Sequence, residues 1–372
     1  MSKLFVLAFL FSAVCLLSAP APSIAGGAPH FATVGPLADP TSVTVTVKCA
    51  KGDSINSALS KYQGARSLVV EISGMCHENV VVNRDRVTLR GTDPATDGID
   101  AVENTDFIDA AVWVREAHRV TLENLKLTGG FGGLLATNVS TPLLRVINCR
   151  MEGNRFGALV QSSIVEANNS SLGPNDGVNA EVFLGSRFIC LNCTMTDPQV
   201  NAPSGANRTN VIVSASRLVL NQSTLTGGGI QSEESLVMAS DSTIEAAASN
   251  LQGLGTTGGS TVSLTRVQIT GQLVFNQNTS VQLFGVTQLP GAAGTPPNQA
   301  NHSTIVRLAN AVSPTGNVAS DVGLFNLNDF SNLSLLDSSE VAGLNCNSGS
   351  NAFCSNPANV GGTSNCGLCP KP

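Results

Sequence analysis

Five charged residues between positions 152 and 187 have the types that proton-transfer chemistry requires. A carboxylate can act as a general base or acid, and an arginine can neutralise an anionic substrate group. The five are Glu152, Arg155, Asp176, Glu181 and Arg187. All fall near predicted turns of three consecutive repeats, so they could converge on one face. Solvated turn residues give the same pattern, and we favour this plainer interpretation.

Two histidines are further candidates for a general base. His77 precedes Glu78, and His118 precedes Arg119, each at the predicted entrance of a strand. A turn histidine with a local polar partner is the simpler account of both. The sequence shows no Ser-His-Asp order, no glycine-rich phosphate loop and no histidine cluster with metal-ligand spacing. It therefore predicts neither a cofactor nor a metal site.

The elements that would position these residues come from a repeated phrase. A polar residue, two variable residues and an aliphatic anchor recur seven times, and the residue five before each anchor is mostly apolar. The anchors are Leu127, Met151, Leu172, Met195, Leu225, Ile244 and Ile269. A period of about 23 residues with about three short strands per repeat is typical of a stacked-coil solenoid.

The first residue of the phrase is an asparagine in four successive repeats. These are Asn124, Asn148, Asn169 and Asn192. Parallel strands stack about 4.8 Å apart, so side-chain amides in such a column can hydrogen-bond from coil to coil. We therefore assign the four asparagines to a structural turn ladder rather than to a ligand site.

Residues 52–91 resemble a known superfamily. Their sequence, GDSINSALSKYQGARSLVVEISGMCHENVVVNRDRVTLRG, is similar to the opening of pectin-lyase-like proteins: a short helix, an aliphatic strand, a G-x-Y-x-E-x-V-like turn and a V-T-L-x-G strand. Cys76 stands where that turn often has tyrosine. Residues 117–129 and 153–157 resemble coil phrases of the same superfamily. The resemblance implies an all-β fold, a single-stranded right-handed parallel β-helix with a short N-terminal capping helix.

The resemblance does not extend to a known activity. Asn104-Thr105-Asp106 matches one motif of polygalacturonases, but their G-H-G and R-x-K motifs are missing. The D-P-H motif of mannuronan epimerases is missing too, and the calcium-binding aspartates of pectate lyases have no evident counterpart. The sequence favours a glycan-binding or structural protein of the cell surface or periplasm. The alternative is a polysaccharide lyase, epimerase or hydrolase acting on a uronate-containing glycan.

Four segments are expected along the chain. Residues 1–25 have the charge, apolar run and small residues of a signal peptide, and 26–41 form an extended leader. Residues 42–335 should form about ten coils, with a helix near 54–62 covering the first. The remainder, 336–372, is a Gly/Asn/Ser-rich tail containing cysteines. Lipidation of a signal-peptide cysteine is the less favoured alternative.

Composition limits the partners of the exported chain. Only 12% of residues are charged, and the formal net charge is −6. Beyond Arg217 the only basic residues are Arg266, Arg307 and Lys371, so nucleic acid is not an expected partner. No later segment has the 18 or so apolar residues of a membrane span. The expected partner is a polysaccharide or another cell-surface component.

Cysteine use fits an oxidising compartment. Cys49 and Cys76 end neighbouring strands of the predicted cap and form the first expected disulfide. Cys190 and Cys193 are expected to pair across their turn, which leaves Cys149 free. Bridges could also replace a missing core in the tail, where zinc is the less favoured alternative. The tail cysteines are Cys346, Cys354, Cys366 and Cys369.

The longest interval between anchors predicts an inserted loop. The 30 residues from Met195 to Leu225 contain the excursion Asp197–Asn210. We expect this loop to wall one side of a groove that faces the charged residues named above. The chain also carries N-x-S/T sequons, which matter only in a eukaryotic secretory pathway. They include Asn138, Asn207, Asn278, Asn301 and Asn332.

Overall fold

The computed structural model describes residues 41–102, 105–141, 143–199, 201, 208–246, 252–289, 296–314, 316–356, 359–366 and 369. Three parallel sheets, here called A, B and C, account for almost all strands of these residues. Each coil passes through sheet A, then B, then C, before it returns to A one layer further on. The fold is a right-handed parallel β-helix, and the fold prediction is confirmed.

The three sheets have the following strands within the described residues. Sheet A consists of Ser42–Lys48, Ser67–Ser73, Val87–Arg90, Thr121–Glu123, Leu144–Ile147, Ile164–Asn168, Arg187–Leu191, Arg217–Asn221, Leu236–Ser240, Thr261–Thr265, Ser280–Phe284, Ile305–Ala309, Asn332–Leu335 and Asn351–Cys354. Sheet B consists of Met75–His77, Gly98–Asp100, Lys126–Thr128, Arg150–Met151, Ser171–Leu172, Thr194–Met195, Thr224–Thr226, Thr243–Glu245, Gln268–Thr270, Thr287–Leu289, Asp321–Val322 and Glu340–Val341. Sheet C consists of Val80–Val82, Ala110–Arg115, Gly132–Thr137, Phe156–Gln161, Ala180–Phe183, Thr209–Ser214, Gly229–Glu233, Gln252–Thr257, Gln272–Phe275, Asn298–Ala300, Phe325–Leu327 and Leu344–Cys346. Ala311–Ser313 and Gly316–Val318 form a separate antiparallel pair.

The anchors of the repeated phrase stack in one buried column of sheet B. Leu127 pairs with Met151, and the same register continues through all seven anchors to Ile269. Each anchor side chain is fully buried. Because side chains of a strand alternate between faces, this column fixes which residues of every coil point inward. The predicted stacking of the anchors is confirmed.

The polar residue of the phrase makes the corner between sheets A and B. In all seven repeats it has a positive φ, between 49° and 56°. Asparagine tolerates this left-handed conformation better than most residues, which accounts for its frequency here. The side chain of Asn148 donates to Asn124 at 2.8 Å, and Asn192 donates to Asn169 at 2.6 Å.

A ladder of buried serines lines the corner between sheets C and A. The hydroxyl oxygen of Ser186 accepts the backbone N–H of Ser163, and Ser216 accepts from Ser186 in the same way. Ser235 and Ser260 continue the ladder, at donor–acceptor distances of 3.2 Å. These hydroxyls satisfy backbone groups that a buried turn would otherwise leave unpaired.

The N-terminal cap contains the expected helix and disulfide. The helix α1 spans Ile55–Lys61, after a 3-10 turn over Cys49–Lys51, and Ser54 is its N-cap. Ile55, Ala58 and Leu59 are buried in the core of the first coils. Cys49 and Cys76 form a disulfide with their Cα atoms 4.8 Å apart.

The predicted end of the β-helix at residue 335 is wrong. Strands Glu340–Val341, Leu344–Cys346 and Asn351–Cys354 continue sheets B, C and A in register. The described residues complete twelve coils rather than about ten. Inward positions such as Leu344 remain apolar and buried there, but Asn, Ser and Gly fill the corners and hide the period.

Two disulfides fasten the last residues to the final coils. Cys346 bonds to Cys366, and Cys354 bonds to Cys369. Isolated bridges place Val360 beside Val341 and Ser364 beside Leu344. The tail therefore packs on the end of the solenoid, where the two disulfides fasten it.

The expected Cys190–Cys193 disulfide is not formed. Cys149, Cys190 and Cys193 are all free and buried. Cys190 belongs to the inward column of sheet A, between Ala167 and Leu220. The thiol of Cys193 instead contacts the carbonyl oxygen of Ala167 at 3.4 Å. Burial raises the pKa of the Cys149 thiol to about 12 and also raises that of Cys190.

Some sequence predictions fall outside the described residues. These are the signal peptide (1–25), the leader (26–41) apart from its last residue, and the sequon at 207. Within the described segments, every helix is too short or too polar to cross a membrane. The same segments hold no group of three or more residues arranged to bind a metal ion.

Candidate functional site

Two of the five charged residues come together at the turn between sheets B and C. Arg155 and Asp176 lie one coil apart and line the same cavity of about 580 Å³, together with Phe156, Gln199 and Ile212. The turn brings them outward because Asn154 and Asn175 take the buried positions beside them. The backbone of Asp176 is held by an N–H bond to the carbonyl oxygen of Asn154.

Protein partners already engage the acidic groups of this turn. The Asp176 carboxylate accepts a hydrogen bond from the Asn201 side chain at 2.6 Å. Glu152 forms an ion pair with Lys126, with an N–O distance of 2.9 Å. Both contacts hold the carboxylates in fixed positions.

The fourth residue, Glu181, lies on the outer face of sheet C. Its neighbours in the sheet are Leu159 and Ile212, and the second of these lines the cavity. Glu181 is half-buried, and desolvation raises the pKa of its carboxyl above the usual range. A carboxyl in this setting can hold a proton at a higher pH than an exposed glutamate.

The fifth residue, Arg187, does not join this group. It begins a strand of sheet A, where its neighbours are Ile164 and Arg217. The chain turns the corner from sheet C to sheet A between Glu181 and Arg187. The hypothesis that all five charged residues share one face is therefore wrong for Arg187.

The two histidines lie apart from the cavity. His77 contacts Asp100 at 3.0 Å, while Glu78 accepts backbone N–H groups of Ile55 and Asn56 at the start of helix α1. His118 is fixed through its backbone N–H, which donates to Asp85 at 2.8 Å. Glu78 has a capping role, so it is not available as a partner of a catalytic histidine.

The predicted loop supplies part of the cavity wall. Gln199 lines the cavity, and its side chain accepts the backbone N–H of Thr209 at 3.2 Å. Asn201 reaches Asp176 from the same loop. Residues 200 and 202–207 lie outside the described residues, and the expectation that the whole loop forms a groove wall stays a prediction.

Sequence reasoning missed an aromatic cluster beside the cavity. Phe107, Phe131 and Phe156 follow one another at centroid distances of 5.9 and 5.2 Å. With Trp113 they cover Leu135 and Leu159, which point outward from sheet C and are nevertheless buried. The signal in the sequence is Phe131-Gly132 followed one coil later by Phe156-Gly157. The register pairs Phe156 with Gly132 rather than with Phe131, so the contact between the two rings is visible only in the structure.

Two arginines rest on these rings. The Arg155 guanidinium lies 4.9 Å from the Phe131 centroid and 5.8 Å from that of Phe156. Arg115 lies 5.5 Å from the Trp113 centroid, and the indole N–H donates to Thr137 at 2.8 Å. Such cation–π contacts orient both partners and keep a positive charge beside an apolar surface.

A second groove continues the same face of sheet C. Its volume is about 230 Å³, and it is lined by Ile212, Gln231, Glu233, Gly255 and Asn276 among others. Ile212, Gln231 and Gly255 are successive members of one outward column. Gly255 has no side chain there, and the side-chain amide of Gln252 occupies the space beside it. Ile212 lines both hollows, so they meet there.

The combined surface suits a long ligand with alternating apolar and polar faces. It extends from the strand of Trp113 to the strand that precedes Asn276, seven steps of about 4.8 Å, or about 34 Å. Rings, amides and carboxylates are all presented outward along it. Ligand sites of this kind combine apolar area with a few polar groups that fix orientation.

Comparison with known proteins adds a likeness of fold. The sequence matches no protein-family model and no curated protein. One similar structure is the catalytic unit of GH87 alpha-1,3-glucanase from Streptomyces thermodiastaticus strain HF3-3, at 10% identity and a TM-score of 0.36, covering 86% of this chain and 67% of that one. Another is alginate lyase from Paenibacillus sp. str. FPU-7, at 12% identity and a TM-score of 0.38, covering 85% of this chain and 98% of that one. Values this low carry no argument about activity, and what this chain shares with the pectin-lyase-like proteins is the right-handed parallel β-helix.

Proposed function

We propose that this protein is exported and binds an extended glycan along the outer face of sheet C without catalysing its conversion. The observation that carries the proposal is the outward cluster of Phe107, Trp113, Phe131 and Phe156. Four of the sixteen aromatic residues of the chain are concentrated there. One side of these rings covers Leu135 and Leu159, and a bound partner is the simplest use of the part of their surface that remains exposed.

The chemistry of a sugar polymer fits this surface. One face of a sugar ring presents C–H groups that can lie on an aromatic ring, while its hydroxyls need hydrogen-bond partners. The side chains of Gln231, Asn276 and Glu233 line the adjoining groove and supply such partners. A polymer lying parallel to the axis of the β-helix would pass over Ile212, which lines both hollows, and would contact each of them.

The state of the charged groups supports binding rather than catalysis. Asp176 and Glu152 are each held by a protein partner, and Arg155 is stacked on two rings. These contacts give each of the three groups a structural role within the turn, independent of any substrate. The three disulfides accord with an oxidising compartment outside the cytosol.

The single tryptophan provides the experiment. Trp113 is the only tryptophan of the chain and belongs to the aromatic cluster, so its fluorescence reports directly on this surface. We expect saturable emission changes and column retention with one class in a panel of neutral and uronate-containing glycans, without product release. Phe156→Ala should weaken binding about tenfold, since stacked aromatic contacts contribute about 1–1.5 kcal/mol.

Phe353→Ala is the matched control, because Phe353 is an exposed ring on sheet A, far along the solenoid from the cluster. Its glycan affinity should equal that of the wild type. Failure of every glycan in the panel to bind, or equal losses in the two variants, would refute the proposal.

One observation favours a second function, turnover of the bound glycan. Glu181 lies beside the cavity with a raised pKa, as a general acid requires. A lyase, epimerase or hydrolase reaction would then use this carboxyl. If product release occurs, Glu181→Gln should abolish it while retention on the glycan column persists.

A further inference from the structure

Two arginines stand next to each other on the outer face of sheet A, away from the aromatic cluster. Arg187 and Arg217 are register partners on neighbouring strands, about 4.8 Å apart in the stack. Both side chains are half-buried. Like charges directly opposite one another in a sheet are destabilising, so this arrangement requires a compensating interaction.

The protein does not supply that compensation among its described residues. Neither guanidinium takes part in an ion pair with a described carboxylate. The Nε atoms of Arg187 and Arg217 are both buried and have no acceptor there. The Arg217 side chain contacts only the weak acceptor Sδ of Met238, at 3.1 Å. A buried, charged donor without an acceptor is costly, and two in register are unusual.

One member of the arginine pair, Arg217, lines an open hollow at the corner between sheets C and A, and Arg187 directly follows Ser186, which also lines it. The hollow has a volume of about 410 Å³, and Arg217, Ser216 and Leu236 line it. Glu234, which is exposed, also lines the hollow. On the neighbouring strand, Glu166 accepts a hydrogen bond from Asn168. A ligand can therefore approach the guanidinium groups from solvent.

We propose that Arg187 and Arg217 form a binding site for a tetrahedral oxyanion, a sulfate or phosphate group. Two guanidinium groups carry two positive charges, and a tetrahedral oxyanion has enough acceptor oxygens to take hydrogen bonds from both. Bound there, it supplies acceptors for the two buried Nε–H donors and removes the repulsion between the arginines. The group is either a free ion or an ester on an acidic polymer.

Thermal denaturation of the mature chain tests the site. Melting temperature is followed in sodium sulfate, sodium phosphate and sodium chloride at equal ionic strength, so that general screening is the same in all three. We expect a saturable rise with sulfate and phosphate beyond that with chloride, because a ligand that binds only the folded state stabilises it. Retention on dextran sulfate, compared with dextran, then separates an ester group from a free ion.

Three variants identify the residues. In Arg187→Gln/Arg217→Gln the oxyanion-specific rise should vanish, while stability in chloride should stay equal or increase as the repulsion is removed. Arg217→Lys keeps the positive charge but removes the planar set of guanidinium N–H donors, so sulfate affinity should fall about tenfold. Arg307→Gln, an outward arginine elsewhere on sheet A, should behave as wild type. Equal melting temperatures in sulfate and chloride, or an equal loss in Arg307→Gln, would overturn the proposal.

Discussion

The interior of sheet B and the exterior of sheet C are built by the same coils but follow different rules. The anchor column from Leu127 to Ile269 holds seven buried aliphatic residues in unbroken register. In the outward column of sheet C, the type of side chain differs between most successive coils. Its successive members are Trp113, Leu135, Leu159, Glu181, Ile212, Gln231 and Gly255.

The difference follows from what surrounds each column. An anchor touches an anchor above and below and the other two sheets across the core, so its size and polarity are constrained in every coil. An outward residue of sheet C has the same neighbours above and below but meets solvent or a ligand on its free side. Stability is therefore a property of the repeated positions, and specificity belongs to the positions that do not repeat.

The largest expected effect comes from breaking the interior column. Leu127→Ala should lower the free energy of unfolding by about 2–5 kcal/mol, because it leaves a cavity between fully buried neighbours. Urea denaturation measures the loss. Leu289→Ala, at an exposed outward position of sheet B, is the control and should cost far less. Similar losses in both variants would show that the two regions do not differ as described.

A smaller loss of stability is expected when a serine of the corner between sheets C and A is replaced. Ser235→Ala removes the acceptor of the buried Ser216 N–H and should lower the free energy of unfolding by about 1–3 kcal/mol. Ser263→Ala, on the outer face of sheet A, removes a hydroxyl of the same size from a partly exposed site. If both changes have the same effect in urea denaturation, the ladder contributes no more than a surface hydroxyl.

The exterior of sheet C can be altered without touching the interior. Gly255→Val places a branched side chain where the Gln252 amide now lies, displaces that amide within the second groove and should weaken glycan binding about tenfold, or about 1.4 kcal/mol. The fold should persist, because Gly255 lies outside the left-handed region and its nearest obstacle is the flexible end of Gln252. Gly64→Val, with open space around its added side chain, is the control. Trp113 fluorescence follows the titration, and unchanged affinity in Gly255→Val would exclude the groove.

The smallest effect concerns the pH dependence of stability. Burial raises the pKa of Glu181, so the folded state binds its proton more tightly than the unfolded state, and ionisation at higher pH destabilises the fold. Glu181→Gln should therefore raise the melting temperature at pH 7, and this gain should vanish below about pH 4, where glutamate is protonated in both states. Glu245→Gln, exposed on sheet B, reports the effect of removing a charge alone. A gain independent of pH would contradict the assignment.

The interior could be predicted from the sequence because its signal repeats. Seven phrases with the same inward anchor suffice to set the register of sheet B, and the left-handed corner explains why asparagine begins so many of them. The coils after residue 335 were missed because their corners use residues such as Asp337 and Ser348 in the left-handed conformation, without the preceding phrase. Their inward residues Val341, Leu344 and Ala352 each follow their counterparts in the preceding coil by 19 residues, but the corner phrase that marks the earlier coils is absent.

The outer surface was much less predictable, because separation along the chain does not indicate which residues of a solenoid lie close together in space. Glu181 and Arg187 are close in sequence but belong to sheets C and A, whereas Arg155 and Asp176 are a coil apart and line one cavity. The aromatic cluster was overlooked for a related reason. Leu135 and Leu159 look like ordinary core residues until the register shows that they point outward beneath rings.

The equivalence of successive coils has a consequence for how such a surface changes length. The strand pairings of the three sheets join most residues to a counterpart one layer away, so a whole coil can be removed or duplicated and the remaining strands still find matching partners. The length of the outer face along the axis of the β-helix therefore changes in steps of about 4.8 Å. A change in the length of ligand accommodated needs an insertion or deletion of one complete turn of the chain, rather than a gradual series of point substitutions.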